Sequence, residues 1–200
     1  MGGHNDHHME LFEAIRQRRS MGMAKLRPDA VPQELVAQVL EAANWAPSHG
    51  DTEPWRFTVF MGSGRAKLAE LFGRATGEED AQKAAAASDR AWKAPVWISI
   101  AMVPGRNEDG SLKMPLEEER MAVACAVQNL HLAACALGLA GKWHSKRLSI
   151  HPVVAEGLGI EAPSELLGFF YLGWPAVDLP PGVRGDWEEK VTWCLDDDIV

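Results

Sequence analysis

Apolar positions along this chain recur at two spacings, one helical and one alternating, and the switches between them mark out its elements. Leu11, Phe12 and Ile15 predict a helix over residues 9–19 with those side chains on its inner face. A second helix starts near Pro32, a favoured first-turn residue, buries Leu35, Val36, Val39 and Leu40, and stops before Pro47. Residues 56–61 are a short β-type run, which Gly62-Ser63-Gly64 turns into a helix over 65–72. Residues 78–92 combine alanine with charge, which predicts a surface helix or lid. Residues 95–103 read as an apolar strand, Val96-Trp97-Ile98-Ser99-Ile100, and 105–111 as a polar loop. A long buried helix is expected over 116–139, closed by Gly141. Ser149 is expected to cap a short helix through Val153 and Val154. Residues 166–174 form another β run before a tail rich in Pro and Gly.

Strands separated by helices predict a layered α/β or α+β domain. With 200 residues, 46% of them apolar, the chain has material for one sizeable core. The expected division is a disordered lead-in over 1–8 and one domain over 9–200. His4, His7 and His8 in the lead-in read as a solvated tail, so no metal site is expected. The net charge of −8 and the scattered basic residues argue against a nucleic-acid surface, which needs a basic stripe. Cys125, Cys135 and Cys194 form no CxxC pair and no disulfide framework, which predicts a reducing, cytoplasmic setting. Residues 121–141 are long and apolar enough to suggest a membrane span. Gln128, Asn129 and His131 in the middle would be costly in lipid, so a buried soluble helix is expected instead. Gly62-x-Gly64 sits between a strand and a helix, but Lys67 occupies the third glycine position of a dinucleotide fingerprint, so it reads as an ordinary turn.

Four separated segments carry the chemistry. They are Arg18-Arg19-Ser20; Ala46-Pro47-Ser48-His49 leading to Glu53-Pro54-Trp55; Gln128-Asn129-Leu130 through Gly141-Lys142-Trp143-His144-Ser145; and Phe170-Tyr171-Leu172-Gly173-Trp174-Pro175 with Arg184 and Trp193 beyond. Read together they resemble the FMN-dependent nitroreductase family, in its small single-domain subgroup, over nearly the whole chain. The resemblance implies an α+β fold with a mixed sheet flanked by helices and an intertwined homodimer. It implies FMN at the dimer interface, NADH or NADPH as electron donor, and ping-pong reduction of an electron-poor acceptor such as a nitroaromatic, a quinone or an enone. A flavin-storage protein, or a specialised dehalogenase or flavin-fragmenting enzyme, is the alternative reading.

On the same resemblance, Arg18 and Ser20 meet the flavin phosphate or ribityl chain, and Arg19 points toward the flavin. Guanidinium groups suit this role because they match phosphate oxygens bidentately. His49 and Glu53, on a loop stiffened by two prolines, are expected along the ring edge. Trp143, His144 and Ser145 are expected against the flavin from the partner subunit, and Arg184 is a late phosphate candidate. The flavin carries the chemistry, so no side chain is named as an obligatory acid or base. Two positions depart from the family's pattern. Gly22 stands where many relatives carry a basic residue, leaving Arg19, Lys25 or His144 to balance the reduced ring, and Glu53 stands where glutamine is usual.

Overall fold

The computed structural model describes residues 9–77 and 80–194, so the lead-in histidines and the first two residues of the expected lid lie outside it. In chain order the main elements are α1 (Leu11–Gln17), α2 (Gln33–Asn44), β1 (Trp55–Met61), α3 (Arg65–Arg74), α4 (Ala81–Asp89) and β2 (Val96–Met102). After them come α5 (Leu116–Ala136), β3 (Ala140–His144), α6 (Pro152–Gly157) and β4 (Glu165–Gly173). The strands form one sheet of order β1-β2-β4-β3, with every neighbouring pair antiparallel. The expectation of a mixed sheet survives only in a single parallel bridge, Ser20 to Gly141, at the free edge of β3.

Both faces of this sheet are covered, which is why β2 is buried at every position rather than at alternate ones. Val96, Ile98, Ile100 and Met102 pack with Phe170 and Leu172 against α2 and α5. Trp97, Phe169 and Tyr171 point the other way, toward α3, α4 and α6. There Phe72, Trp97 and Phe169 meet edge to face at centroid distances of 5.6–6.1 Å. Of the four residues expected inside α2, Val36 and Val39 are buried and Leu35 and Leu40 partly so, while Ala43 completes the buried stripe.

Three expectations change. Leu11, Phe12 and Ile15 are exposed in this chain at 60%, 71% and 47%, and only Ala14 of α1 is buried. The helical face exists, but it stays exposed among the described residues. The long helix ends at Ala136 because Gly138, at φ 73°, adopts the left-handed turn that Gly141 was expected to supply. Leu139 N–H donates to Ala134 C=O and Gly138 N–H to Cys135 C=O, a Schellman termination that frees the next residues to form β3. Ser149 does not cap α6. His151 does, ahead of Pro152, while Ser149 is buried beneath β3. The expected lid is α4, capped by the Asp80 side chain, followed by a 3-10 turn at Arg90–Lys93. Ala87 and Ala91 bury it against the core, so it is part of the fold.

Candidate functional site

The segment that follows α1 is laid along the outer edge of the sheet. Arg18 N–H still donates to Ala14 C=O, and from there the backbone straightens. Met21 N–H donates to Gly141 C=O at 2.9 Å, fixing Ser20 beside the start of β3. The chain leaving β4 clasps the same segment from the other side. Arg27 N–H donates to Trp174 C=O and Ala176 N–H to Lys25 C=O, both at 2.8 Å. Gly141 must be glycine here, because a Cβ would run into Tyr171 C=O and the Phe170 ring.

This lacing opens a cavity of about 960 Å³ lined by Arg18, Arg19, His131, Cys135, Ala140 and Arg184, with Pro180, Pro181 and Gly182 along one wall. Arg18, Arg19 and Arg184 are thus brought together from distant parts of the sequence. Burial, then the charges of Arg184 and Arg19, lower the Arg18 pKa from its usual value. Asp178 also lines the cavity, but among the described residues none of the three arginines has an ion pair. Like charges gathered with no ion pair between them and Asp178 suit an anion. The Arg19 Nε is buried with no partner among the described residues. The resemblance turns Arg19 toward the flavin, and in this chain the rest of its side chain makes local contacts. Its Nη1 turns back to cap the Arg16 and Arg18 carbonyls at 2.6 and 2.7 Å, and Gly182 packs against its guanidinium.

Trp143, His144 and Ser145 continue from the same edge, on and just past the end of β3. Five residues of strand span roughly 13 Å, so His144 is a ligand's length away from the arginine cavity. The Trp143 indole N–H donates to Leu167 C=O at 3.0 Å, and its ring is half-buried against the core. His144 Nδ1 meets Ser149 Oγ at 2.7 Å. Burial, then the charges of Arg90, Lys142 and Lys146, push the His144 imidazole below its usual range. Of the three groups expected to replace a basic residue at Gly22, Arg19 is folded back, His144 is held toward its neutral form, and Lys25 is exposed. Arg90, whose charge acts on His144, and Arg147 line with Met23, Lys83 and Lys93 a second groove of about 420 Å³. Nothing local in the sequence marked them.

His49 and Glu53 are elsewhere. Their loop winds tightly, with positive φ at Gly50, Asp51 and Glu53, and a Cβ on Gly50 would meet the Met114 side chain. It is moored to the N-terminal end of α5. His49 pairs with Glu118, while buried Glu119 accepts from Thr52 Oγ1 at 2.6 Å and from Gly105 N–H at 2.9 Å. Three consecutive glutamates suit that end, where the helix dipole is positive. Glu119 and His131 sit at opposite ends of α5, roughly 18 Å apart along its axis. Within one chain, therefore, Arg18, Arg19, Ser20, Arg184 and Trp143–Ser145 share an edge, and His49 and Glu53 do not join them. The resemblance gives Trp143–Ser145 to a flavin shared with the partner; within one chain the Ser20–Gly141 bridge sets them on the edge that also carries that chain's arginines. No group of metal-ligating side chains occurs among the described residues, and no helix there is long and apolar enough to cross a membrane.

Comparison with known proteins agrees with this architecture. The Bacillus cereus "Nitroreductase-like Family Protein" superposes with a TM-score of 0.78 at 27% identity, covering 93% of this chain and 96% of its own. The Escherichia coli K12 protein named "Putative NAD(P)H nitroreductase YdjA" is 32% identical over 84% of this chain and 89% of its own length. The 5,6-dimethylbenzimidazole synthase of Rhodospirillum rubrum is 30% identical over 82% and 83%. The sequence model of the Nitroreductase family matches residues 15–174, from α1 to the end of β4. With that match across the sheet and its arginine edge, the chain belongs to the nitroreductase family.

Proposed function

We propose that the protein is an FMN-dependent oxidoreductase, a homodimer that takes hydride from NADH or NADPH and reduces an electron-poor acceptor such as a nitroaromatic, a quinone or an enone. The observation that carries this reading is the cavity of Arg18, Arg19 and Arg184 beside β3. It offers a net cationic seat for a phosphate, three arginines against Asp178, at one end of an edge long enough for a flavin. The unpartnered Arg19 Nε in its wall fits an anionic occupant. FMN, when bound, supplies hydride acceptance and release at its N5 atom.

The protein's own residues then bind, orient and shield. Arg18 and Arg184 meet the phosphate, Ser20 adds a hydroxyl near it, and Arg19 holds the turn that presents Arg18. Trp143, His144 and Ser145 form the wall at the ring end. His49 and Glu53 come from the second subunit, which accounts for their distance from the rest in one chain. The same assembly covers the exposed Leu11, Phe12, Ile15 and Met121, and the exposed Trp187 and Trp193 of the tail. Obligate interfaces of this kind bury about 2,000 Å² or more.

Absorbance of the purified protein tests the cofactor: a yellow solution that releases FMN on heating is expected, and a colourless one that ignores added FMN overturns the reading. Stopped-flow mixing with NADH and with NADPH tests turnover. Rapid flavin bleaching is expected from at least one, and an inert yellow protein points to storage instead. Light scattering should give twice the chain mass of 21.9 kDa. A flavin-loaded species of single-chain mass refutes the dimer.

A further inference from the structure

His131 breaks the apolar run of α5, whose buried neighbours are Val127, Leu130 and Ala134. An imidazole 8% exposed at such a position is costly unless its N–H is satisfied. Its Nε2 donates to Arg19 C=O at 3.2 Å, and the ring also faces the Gly141 backbone. Its edge packs on Phe170 at a centroid distance of 5.0 Å. These contacts converge on the join where the Arg18–Ser20 segment meets β3, directly beneath the arginine cavity.

Holding Arg18 near Arg184 and Arg19, with no ion pair to them among the described residues, works against mutual repulsion, so the turn needs restraint from below. We infer that His131 is a positioning residue for the phosphate seat: by gripping the Arg19 carbonyl it fixes the turn that aims Arg18 at the anion. It acts as a neutral donor, since burial and the Arg18 charge depress its pKa to about 4. It therefore adds no charge to the seat and acts through backbone geometry alone. This rests on the FMN reading above but concerns a residue of the cavity wall to which that reading gives no role.

The test compares H131F, which keeps a ring against Phe170 and loses the donor, with H131Q, which keeps a donor. Apoprotein is titrated with FMN and with riboflavin, which lacks the phosphate. H131F should lose about five- to tenfold in FMN affinity, the scale of one hydrogen bond. Riboflavin affinity should change less than twofold, and H131Q should recover most of the FMN loss. Equal losses for both flavins, or no loss for FMN, overturn the inference. Amide hydrogen exchange at Met21, whose N–H bonds Gly141, gives a flavin-independent measure of the same restraint. Faster exchange in folded apo H131F, reversed in H131Q, supports positioning, and unchanged exchange refutes it. Wild type that binds neither flavin while Met21 behaves as expected would sink the FMN reading and leave the restraint standing.

Discussion

Arg18→Ala separates a binding cation from a structural one. Arg18 is half-buried, it lines the cavity, and its neighbours Arg184 and Arg19 repel it. In the apoprotein it is therefore a mildly unfavourable charge, and its removal should leave thermal stability unchanged or slightly raised. With a phosphate present the sign reverses. A charge-assisted hydrogen bond to a dianion contributes about 1.5–3 kcal/mol, which is roughly ten- to a hundredfold in affinity. Flavin fluorescence titration of apoprotein at fixed ionic strength measures this, and riboflavin serves as the phosphate-free control. The expected pattern is a large loss for FMN, little change for riboflavin, and an apoprotein melting point no lower than wild type. Unchanged FMN affinity would remove Arg18 from the seat. A fall in stability that accounts for the loss would show Arg18 to be scaffold, contrary to the electrostatics of the cavity.

Acid should weaken the fold through His131, which accepts a proton near 6.5 in the unfolded chain but only near 4 when folded. The unfolded state binds more protons between those values, so this contribution is complete above pH 6.5 and is lost as pH falls toward 4. Its size is about 3 kcal/mol, and the difference in urea stability between wild type and H131F across that window should show it. Glu119→Ala should cost about 2–4 kcal/mol by leaving Thr52 and Gly105 without their buried acceptor; a change within 0.5 kcal/mol in chemical denaturation would contradict the mooring. Gly141→Ala should split β3 from β4, because its Cβ meets Tyr171 C=O, and soluble protein with wild-type FMN affinity would refute that. Glu53→Gln should raise the flavin midpoint potential at neutral pH. A carboxylate roughly 5 Å from the reduced ring, at an effective dielectric near 20, opposes reduction by about 3 kcal/mol, or about 70 mV for two electrons. Equal potentials by spectroelectrochemistry would mean that no ionised Glu53 faces the ring.

The sequence by itself determined the elements whose signal is local. The continuous apolar run around Val96–Ile100 and the helical spacing of Val36 and Val39 needed only a window of neighbours to be read, because such patterns reflect which positions are dry. Arginine pairs, a proline-stiffened loop and a late basic residue were legible as chemistry for the same reason. β3 was not, since five residues beginning with Ala140-Gly141 look like the frayed end of α5 until Gly138 closes the helix and β4 supplies a ladder. His131 drew notice only as an obstacle to a membrane span; its carbonyl partner lies on a segment far away in sequence. Which arginine faces the cavity and which folds back on α1 was equally beyond local pattern, as was the separation of His49 from the β3 edge. Those outcomes depend on strand pairing, on where buried N–H groups find acceptors, and on how like charges settle around one space. Such long-range terms exist only after the chain has folded.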